Sequence, residues 1–357
     1  MSDDIDVTEY DAEDEINPFL EGLDPMLKLD LDLKDASRML SQREVRYLVD
    51  LFYQCQEYRI ATANQNRALK ALQEPNQLIL WALDNFKLLE RNLARVMDKY
   101  TMTTLAGRWQ RSITGIGPVI AAGLLGHLEI EKAPTAGQFW RYAGLDPSVE
   151  WIGKQRAADL VNKVAGTGRV TITVDHVAEC ALAVNRNFDN VLRQARDEDG
   201  KLTRSGLNGA LAKRPWNAKL KTLCWKVGES FVKVQNKDSD FYGKIYVERK
   251  ALEAAKNAAG DYREQAHAKL ERFNITAQPT RGIYESGMLP PAHLHERAKR
   301  YAVKLYLSHL HHVLHVEKIG FLPPPPRPYV IEHMGHTHII PVPDPAGILP
   351  EAPDKAV

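Results

Sequence analysis

The segment Gly115-Ile116-Gly117-Pro118 has the residue types and spacing of a phosphate-binding turn. Glycine adopts positive φ angles at little cost, so two glycines one residue apart allow a tight turn. Pro118 suits the first position of a helix, because its missing N–H would be unpaired there anyway. Such a turn leaves backbone N–H groups facing outward at a helix N-terminus, where phosphate oxygens can accept them. The sequence therefore predicts that Gly115, Ile116 and Gly117 hold one phosphate of a DNA backbone without reading its bases.

Two other interpretations account for the same glycines. Gly-x-Gly is a common entry turn before a helix, and it also occurs in dinucleotide-binding folds, where a strand precedes it. Residues 105–112 instead look helical and basic. The dinucleotide interpretation is therefore disfavoured, whereas a purely structural turn stays open.

Cations recur along two predicted helices at spacings that align them on one face. Residues 216–235 carry a lysine every seven residues, and a helix at about 295–316 carries a second stripe. Aligned cations suit phosphates, because each contact releases condensed counterions and adds affinity. A solvated charged face is the alternative. Together with the residues before the hairpin, the expected DNA-contacting cations are Arg108, Arg111, Lys219, Lys226, Lys233, Arg297, Arg300 and Lys304.

Seven of the twelve histidines fall between residues 309 and 338. His311 and His315 lie one helical turn apart, and we expect them to extend the basic stripe toward DNA. His333, His336 and His338 follow in the tail, where neutral imidazoles at such spacing can bind zinc. No cysteine accompanies them. The sequence therefore predicts no metal and no cofactor, and these three histidines are the alternative ligands.

Asp146 and Glu150 are a carboxylate pair that could hold a metal for phosphodiester cleavage. Their spacing of four fits one face of a helix, but Pro147 stands between them and disfavours a helix. Asp146 is better explained as the cap of a turn before Pro147.

The elements that must position these residues are predicted to be mainly α-helical. Ser41 and Glu44 form a capping box that opens a first helix, and Pro75 ends it. A second helix over 79–100 carries apolar residues on one face. The two helices would pack as an antiparallel pair, an arrangement that also suits dimerisation.

Residues 154–204 are predicted to be an insertion that forms a small subdomain. The run 171–174 is β-like, and residues 175–184 and 188–196 form a helix, short turn and helix. That pair is either a helix-turn-helix reader or simple helix packing. The predicted boundaries are an acidic disordered tail (1–38), a helical pair or coiled coil (39–104), a helix-hairpin-helix domain (105–153), the insertion (154–204), basic helices that complete the core (205–320) and a Pro/His-rich tail (321–357).

From residue 105 to residue 153 the chain resembles the helix-hairpin-helix domain of the IS110/IS116/IS902 insertion-sequence transposases. The matching pieces are the hairpin at 115–118 and the run 139–147, which ends in Ala-Gly-Leu-Asp-Pro. A long apolar helix precedes the hairpin and basic helices follow it, as in that family. The resemblance implies a DNA-binding, transposase-like protein of a mobile element or phage, with a role in DNA transposition or recombination.

Two departures from that family concern its chemistry. Members carry an N-terminal RuvC-like domain with acidic metal ligands, and the N-terminus here is too short and of the wrong character for it. The family's Ser-Ser-Gly motif falls on Trp151, Ile152 and Gly153, while Ser148 lies at a different offset. The resemblance thus leaves the catalytic residues unknown. A strand-breaking transposase with another catalytic site and a helical interaction protein without DNA chemistry are the alternatives.

The charge of the 357-residue chain is unevenly distributed. The net charge is +1, but residues 1–35 hold thirteen Asp and Glu against two Lys, a net of −11 that leaves +12 for the rest. A basic body with an acidic arm suits a DNA-binding protein that masks itself, and a solubilising segment is the alternative. The length suggests two or three domains or one core with insertions.

The remaining composition bears on location and partners. The three cysteines are far apart, which predicts reduced core residues in a cytoplasmic protein. The acidic start is unlike a signal peptide, and no run is long and apolar enough to span a membrane. The expected partner is DNA. A homo-oligomer is expected as well, a guide RNA stays open as a further partner, and no membrane partner is expected.

Overall fold

The computed structural model describes residues 35–74, 76–323, 327 and 340–350. Within these residues the chain forms fourteen α-helices and no β-strand, which confirms the prediction of a mainly α fold. His333, His336 and His338 lie outside the described residues, as does most of the acidic segment. Among the described helices, none combines the length and the apolar character that crossing a membrane requires.

The helices, in chain order, are α1 (Gln42–Ala71), α2 (Gln77–Thr101), α3 (Leu105–Ser112), α4 (Pro118–His127), α5 (Ala136–Tyr142), α6 (Gly153–Ala165), α7 (Val174–Ala183), α8 (Phe188–Gln194), α9 (Arg204–Ala212), α10 (Ala218–Val234), α11 (Tyr242–Ala258), α12 (Arg263–Arg272), α13 (Thr280–Glu285) and α14 (Pro291–Ile319). The chain divides into two compact units. The first comprises Met1–Ala136 and Trp225–Val357, and the second comprises Gly137–Cys224. The second unit encloses the predicted insertion.

Side-chain caps start the long helical pair of the first unit. The Ser41 hydroxyl accepts the Glu44 N–H at 3.3 Å, and the Glu44 carboxylate accepts the Ser41 N–H at 2.7 Å, so the predicted capping box is confirmed. Asn76 caps α2 by accepting the N–H groups of Leu78 and Ile79. These caps satisfy N–H groups that a helix cannot pair internally.

The core of the first unit is built on stacked aromatic rings. The rings of Trp109 and Tyr306 stack at 5.7 Å, and those of Phe231 and Tyr242 stack at 4.8 Å. The indole N–H of Trp109 donates to the carbonyl of Pro343 at 2.7 Å, so the C-terminal segment 340–350 is tied to α3. This core places α3 and α4, and with them the hairpin between the two helices.

The second unit has a hydrophobic core of its own, and one prediction about it is wrong. Residues 171–174 form no strand. Ile172 is instead buried in this core, and the Thr173 hydroxyl accepts the His176 N–H at 3.3 Å as the cap of α7. The β-branched residues serve here as a core anchor and a helix cap. The two helices predicted after this run are confirmed as α7 and α8.

The three cysteines are free and buried, as the sequence predicts. Burial raises the pKa of the Cys180 thiol to about 11 and that of Cys224 to about 12. These thiols therefore remain protonated at neutral pH and act as core residues.

Candidate nucleic-acid interface

Residues 113–117 form a tight turn, called the hairpin below, between α3 and α4. Gly115 has a φ of +92°, and the Ile116 N–H closes the turn on the Ile113 carbonyl at 3.0 Å. Gly117 is the N-cap of α4 and Pro118 occupies its first turn. Since Gly117 offers no side-chain cap, the amides of Val119 and Ile120 have neither an intrahelical acceptor nor an N-cap side chain.

Contacts from other parts of the first unit fix the hairpin in place. The Ser230 hydroxyl on α10 donates to the Gly115 carbonyl. The Arg111 guanidinium donates to the Ile116 carbonyl at 2.7 Å, and Thr114 Oγ1 lies 3.1 Å from the carbonyl oxygen of Ser239. The turn is thus a rigid part of the unit, as a preformed phosphate site needs to be.

The backbone angle and the surrounding space require glycine at position 115 but not at position 117. A Cβ at Gly115 would lie 3.1 Å from both Ser230 Oγ and Val234 Cγ2, and the φ of +92° excludes most side chains. A Cβ at Gly117 would meet nothing within 4 Å, and its φ of −81° suits any residue. The fold therefore explains Gly115 and leaves Gly117 unexplained. An unfilled position at a helix N-terminus is what close approach of a phosphate requires.

The structure places the predicted cations in different surroundings. Lys233 is exposed on α10, one residue before Val234 and three after Ser230, so it lies beside the hairpin. Arg111 also forms an ion pair with Asp98 at 3.0 Å. Lys226 is half-buried, with its ammonium 4.2 Å from the centre of the Tyr53 ring. Arg108 is half-buried and donates to the Met102 carbonyl at 3.3 Å. Lys219 is exposed on the part of α10 that belongs to the second unit. On α14, Arg300 is exposed and Lys304 is half-buried.

Arg297 is held by a buried carboxylate. Its guanidinium lies 2.7 Å from the Glu253 carboxylate, and the Glu253 side chain is 1% exposed. Burial alone would raise the pKa of Glu253, but hydrogen bonds from Tyr262, Arg297 and Arg249 outweigh it and lower the pKa to about 2. The network ties α11, α12 and α14 together, so Arg297 has a structural role that its place in the sequence stripe does not reveal.

Lys237 is a cation beside the hairpin that the sequence analysis missed. It is exposed in the turn after α10, and its N–H closes that turn on the Val234 carbonyl at 2.9 Å. In the part of the chain that the structure describes, its ammonium has no ion pair. Ser239, which contacts Thr114 of the hairpin, follows two residues later. The seven-residue spacing of lysines ends at Lys233. Lys237 lies in the loop after the helix, where helical periodicity cannot identify it.

The prediction for His311 and His315 is wrong. Both are buried, and His311 Nε2 lies 2.8 Å from the Ala133 carbonyl oxygen. Burial lowers the pKa of His311, so the imidazole is neutral. The spacing of one turn reflects a face of α14 that packs into the core, where these histidines pair with backbone carbonyls and do not extend a DNA-facing stripe.

One cluster of possible metal ligands occurs among the described residues, and an ammonium already pairs with both of its carboxylates. Glu229, His295 and Glu296 offer ligand atoms within 4.8 Å of one another. The buried ammonium of Lys299 forms ion pairs with both carboxylates, at 2.6 Å from Glu296. We therefore assign this cluster to a structural ion-pair network.

Asp146 and Glu150 have separate partners in the second unit. The Asp146 carboxylate accepts the N–H of Ser148 at 2.9 Å and its hydroxyl at 2.8 Å, which is the turn cap expected from the sequence. Glu150 forms an ion pair with Arg156 at 2.8 Å. The two carboxylates thus serve local structure.

Trp151 and Ile152 occupy the positions onto which the family's serines would fall. Ile152 packs against the core of the second unit. The Trp151 side chain is 44% exposed, and its indole N–H donates to the Ala212 carbonyl at 2.6 Å. The arrangement supplies no hydroxyl at either position.

Comparison with known families identifies the region that contains the hairpin. Residues 110–174 match the family model described as Transposase IS116/IS110/IS902 family. Over these residues the chain is similar to the transposases of this family. The matched residues include the last three residues of α3, the hairpin and Trp151, so the sequence resemblance is confirmed for this part of the domain. Comparisons with curated proteins and with solved structures gave no match.

Proposed function

We propose that this transposase-like protein binds the DNA backbone through the α3–α4 hairpin, in transposition or recombination of a mobile element or phage. The observation that carries the proposal is Gly117, a glycine that the fold does not require, at the uncapped start of α4. The amides of Gly117, Val119 and Ile120 would donate to one phosphate, aided by the positive end of the helix dipole. The Ile116 amide is used in the turn, and Gly115 shapes the hairpin.

Cations around the hairpin supply the sequence-independent part of this affinity. Lys233 and Lys237 are exposed on either side of Val234, which contacts the hairpin, and they would neutralise the phosphates that flank the central one. The remaining cations that could reach further phosphates are Arg108, Arg111, Lys219, Lys226, Arg300 and Lys304. Among the predicted cations Arg297 is the weakest candidate, because its guanidinium is already paired with the buried Glu253.

The wider role follows from the family domain. A transposase-like protein works on DNA in the cytoplasm of its host, and the long α1–α2 pair offers a surface on which two copies could assemble. A guide RNA would use the same cations, because its backbone carries the same charge. We propose no serine nucleophile at positions 151 and 152, where Trp and Ile stand.

A charge-reversal experiment tests the role of the hairpin cations. The variant with Lys233→Glu and Lys237→Glu is titrated against labelled duplex DNA at several salt concentrations. We expect weaker binding and a salt slope that is shallower by about two, since each lost phosphate contact removes roughly one unit of slope. The matched control is Lys256→Glu. Lys256 is exposed near the C-terminal end of α11, about 21 Å along that helix from its first residue. Equal slopes for the double variant and the control would contradict the proposal.

A further inference from the structure

Three consecutive backbone carbonyls at the end of α9 hold two side chains next to each other. The carbonyl of Ala212 accepts the Trp151 indole N–H at 2.6 Å. The carbonyls of Leu211 and Lys213, on either side of it, both accept hydrogen bonds from the Arg186 guanidinium, at 3.1 and 2.5 Å. An aromatic ring and a guanidinium are thereby fixed side by side within the second unit.

The indole is fixed in position yet uncovered over much of its surface. Its side chain is 44% exposed, although a fixed tryptophan is normally buried. The Arg214 guanidinium carbon lies 4.9 Å from the ring centroid, close enough for a cation–π contact. Among the described residues, Arg214 has no carboxylate partner. The site thus presents a rigid aromatic surface with an unneutralised cation against it.

The positive charge around this ring exceeds what the unit itself neutralises. Arg186 is bound only by carbonyl oxygens in the described part of the chain, and its buried Nε has no acceptor there. Burial lowers the pKa of Arg186, and the nearby charge of Arg141 lowers it further. Arg141 in turn donates to the carbonyl of Asn185, the residue before Arg186. Two like charges near each other, both held by carbonyls, favour an anion between them.

We propose that Trp151 is a stacking platform for one unpaired DNA base, whose flanking phosphates are bound by Arg186 and Arg141. Every base has a π-face, so stacking on an exposed indole tolerates any sequence, and cations beside the ring follow the backbone. Arg214 would cover the ring or the base as a second stacking plane. The inference rests on the proposed DNA binding and names the substrate class: DNA with unpaired bases, as in single strands, gaps and branches. The residue at the family's serine position thus acts in recognition.

The test compares single-stranded and duplex DNA on the full chain. Trp151→Ala should weaken binding to an oligothymidylate by roughly 5- to 150-fold, the loss expected for one stacked base. Its affinity for blunt duplex DNA should change less than twofold. Trp151→Phe, which keeps a ring but loses the indole N–H, should restore most of the single-strand affinity. The matched control is Trp81→Ala, which removes another exposed tryptophan, 47% exposed on α2.

Each outcome decides one of the two proposals. If Trp151→Ala loses affinity for single strands and duplex equally, or for neither, while its melting temperature equals that of the parent chain, the stacking site is refuted. If the parent chain binds single strands through Trp151 but binds no duplex, the hairpin proposal fails and the stacking site stands. A loss confined to an oligouridylate RNA would refute DNA as the occupant. An Arg186→Gln variant with unchanged single-strand affinity would refute the phosphate contacts.

Discussion

Valine at each of the two hairpin glycines separates the fold of the hairpin from its function. At Gly115 the φ of +92° costs a β-branched residue roughly 1–2 kcal/mol. Contacts at 3.1 Å to Ser230 and Val234 add about 1–3 kcal/mol of overpacking. Gly115→Val should therefore lower the free energy of unfolding by roughly 2–5 kcal/mol, a fall in melting temperature on the order of 10 °C for a unit of this size.

At Gly117 the same change should leave stability nearly intact and remove binding. The backbone angles lie in the extended region that valine favours, and the added Cβ meets nothing within 4 Å. The loss of a favourable N-cap residue costs about 1 kcal/mol at most. The side chain would project into the space that we assign to the phosphate, so affinity for duplex DNA should fall at least about tenfold, as expected for lost charge-assisted hydrogen bonds.

The assays are thermal unfolding, circular dichroism and fluorescence anisotropy with a labelled duplex, run on the parent chain and both variants. If Gly117→Val is folded and binds duplex DNA as tightly as the parent, the hairpin is only structural. If Gly115→Val unfolds at the same temperature as the parent, the packing argument is wrong.

Three further predictions concern charge, stability and chemistry. Deletion of residues 1–35 removes a net −11 and should raise DNA affinity at low salt in a binding titration, and the gain should shrink at high salt; unchanged affinity at low salt would refute a masking role. The pKa of Glu253 is about 2 in the folded chain, below its unfolded value of 4.5. Its ion pairs therefore contribute on the order of 3 kcal/mol to the free energy of unfolding above pH 4.5, and this contribution is lost as the pH falls toward 2. Glu253→Gln should therefore lower the melting temperature at pH 7 and flatten its decline in acid, and an unaltered acid profile would count against the network. Incubation with supercoiled DNA and magnesium or manganese should give no covalent serine–DNA adduct, whereas an adduct at Ser148 or Ser230 would establish the strand-breaking alternative.

Local signals in the sequence predicted the local features of the fold. The Ser41–Glu44 capping box, the start of α4 at Pro118 and the helix pair α7–α8 depend on residues a few positions apart, and the structure contains all of them. The prediction of a strand over 171–174 also used local residue types, and it was wrong. The β-branched residues of this run indicate a strand, but the stronger local signal was the cap that Thr173 supplies to α7.

Contacts between distant segments account for what the sequence could not predict. Spacing alone assigns Arg297 to a basic stripe, whereas in the fold its guanidinium pairs with Glu253, 44 residues away in the chain. His311 and His315 have the spacing of a surface face, but α14 lies in the core. The platform at Trp151 depends on a carbonyl 61 residues further along the chain. Spacing identifies residues that share a helix face, whereas tertiary packing decides whether that face is solvated.

Amide hydrogen exchange on the full chain, with and without saturating duplex DNA, tests the central claim most directly. The amides of Gly117, Val119 and Ile120 lie at the uncapped start of α4, and Pro118 has none. We predict that a peptide covering residues 113–121 gains protection when DNA binds, and that a peptide from the distal part of α1 does not. Tight DNA binding with unchanged exchange at residues 113–121 would contradict the hairpin as the phosphate-binding element.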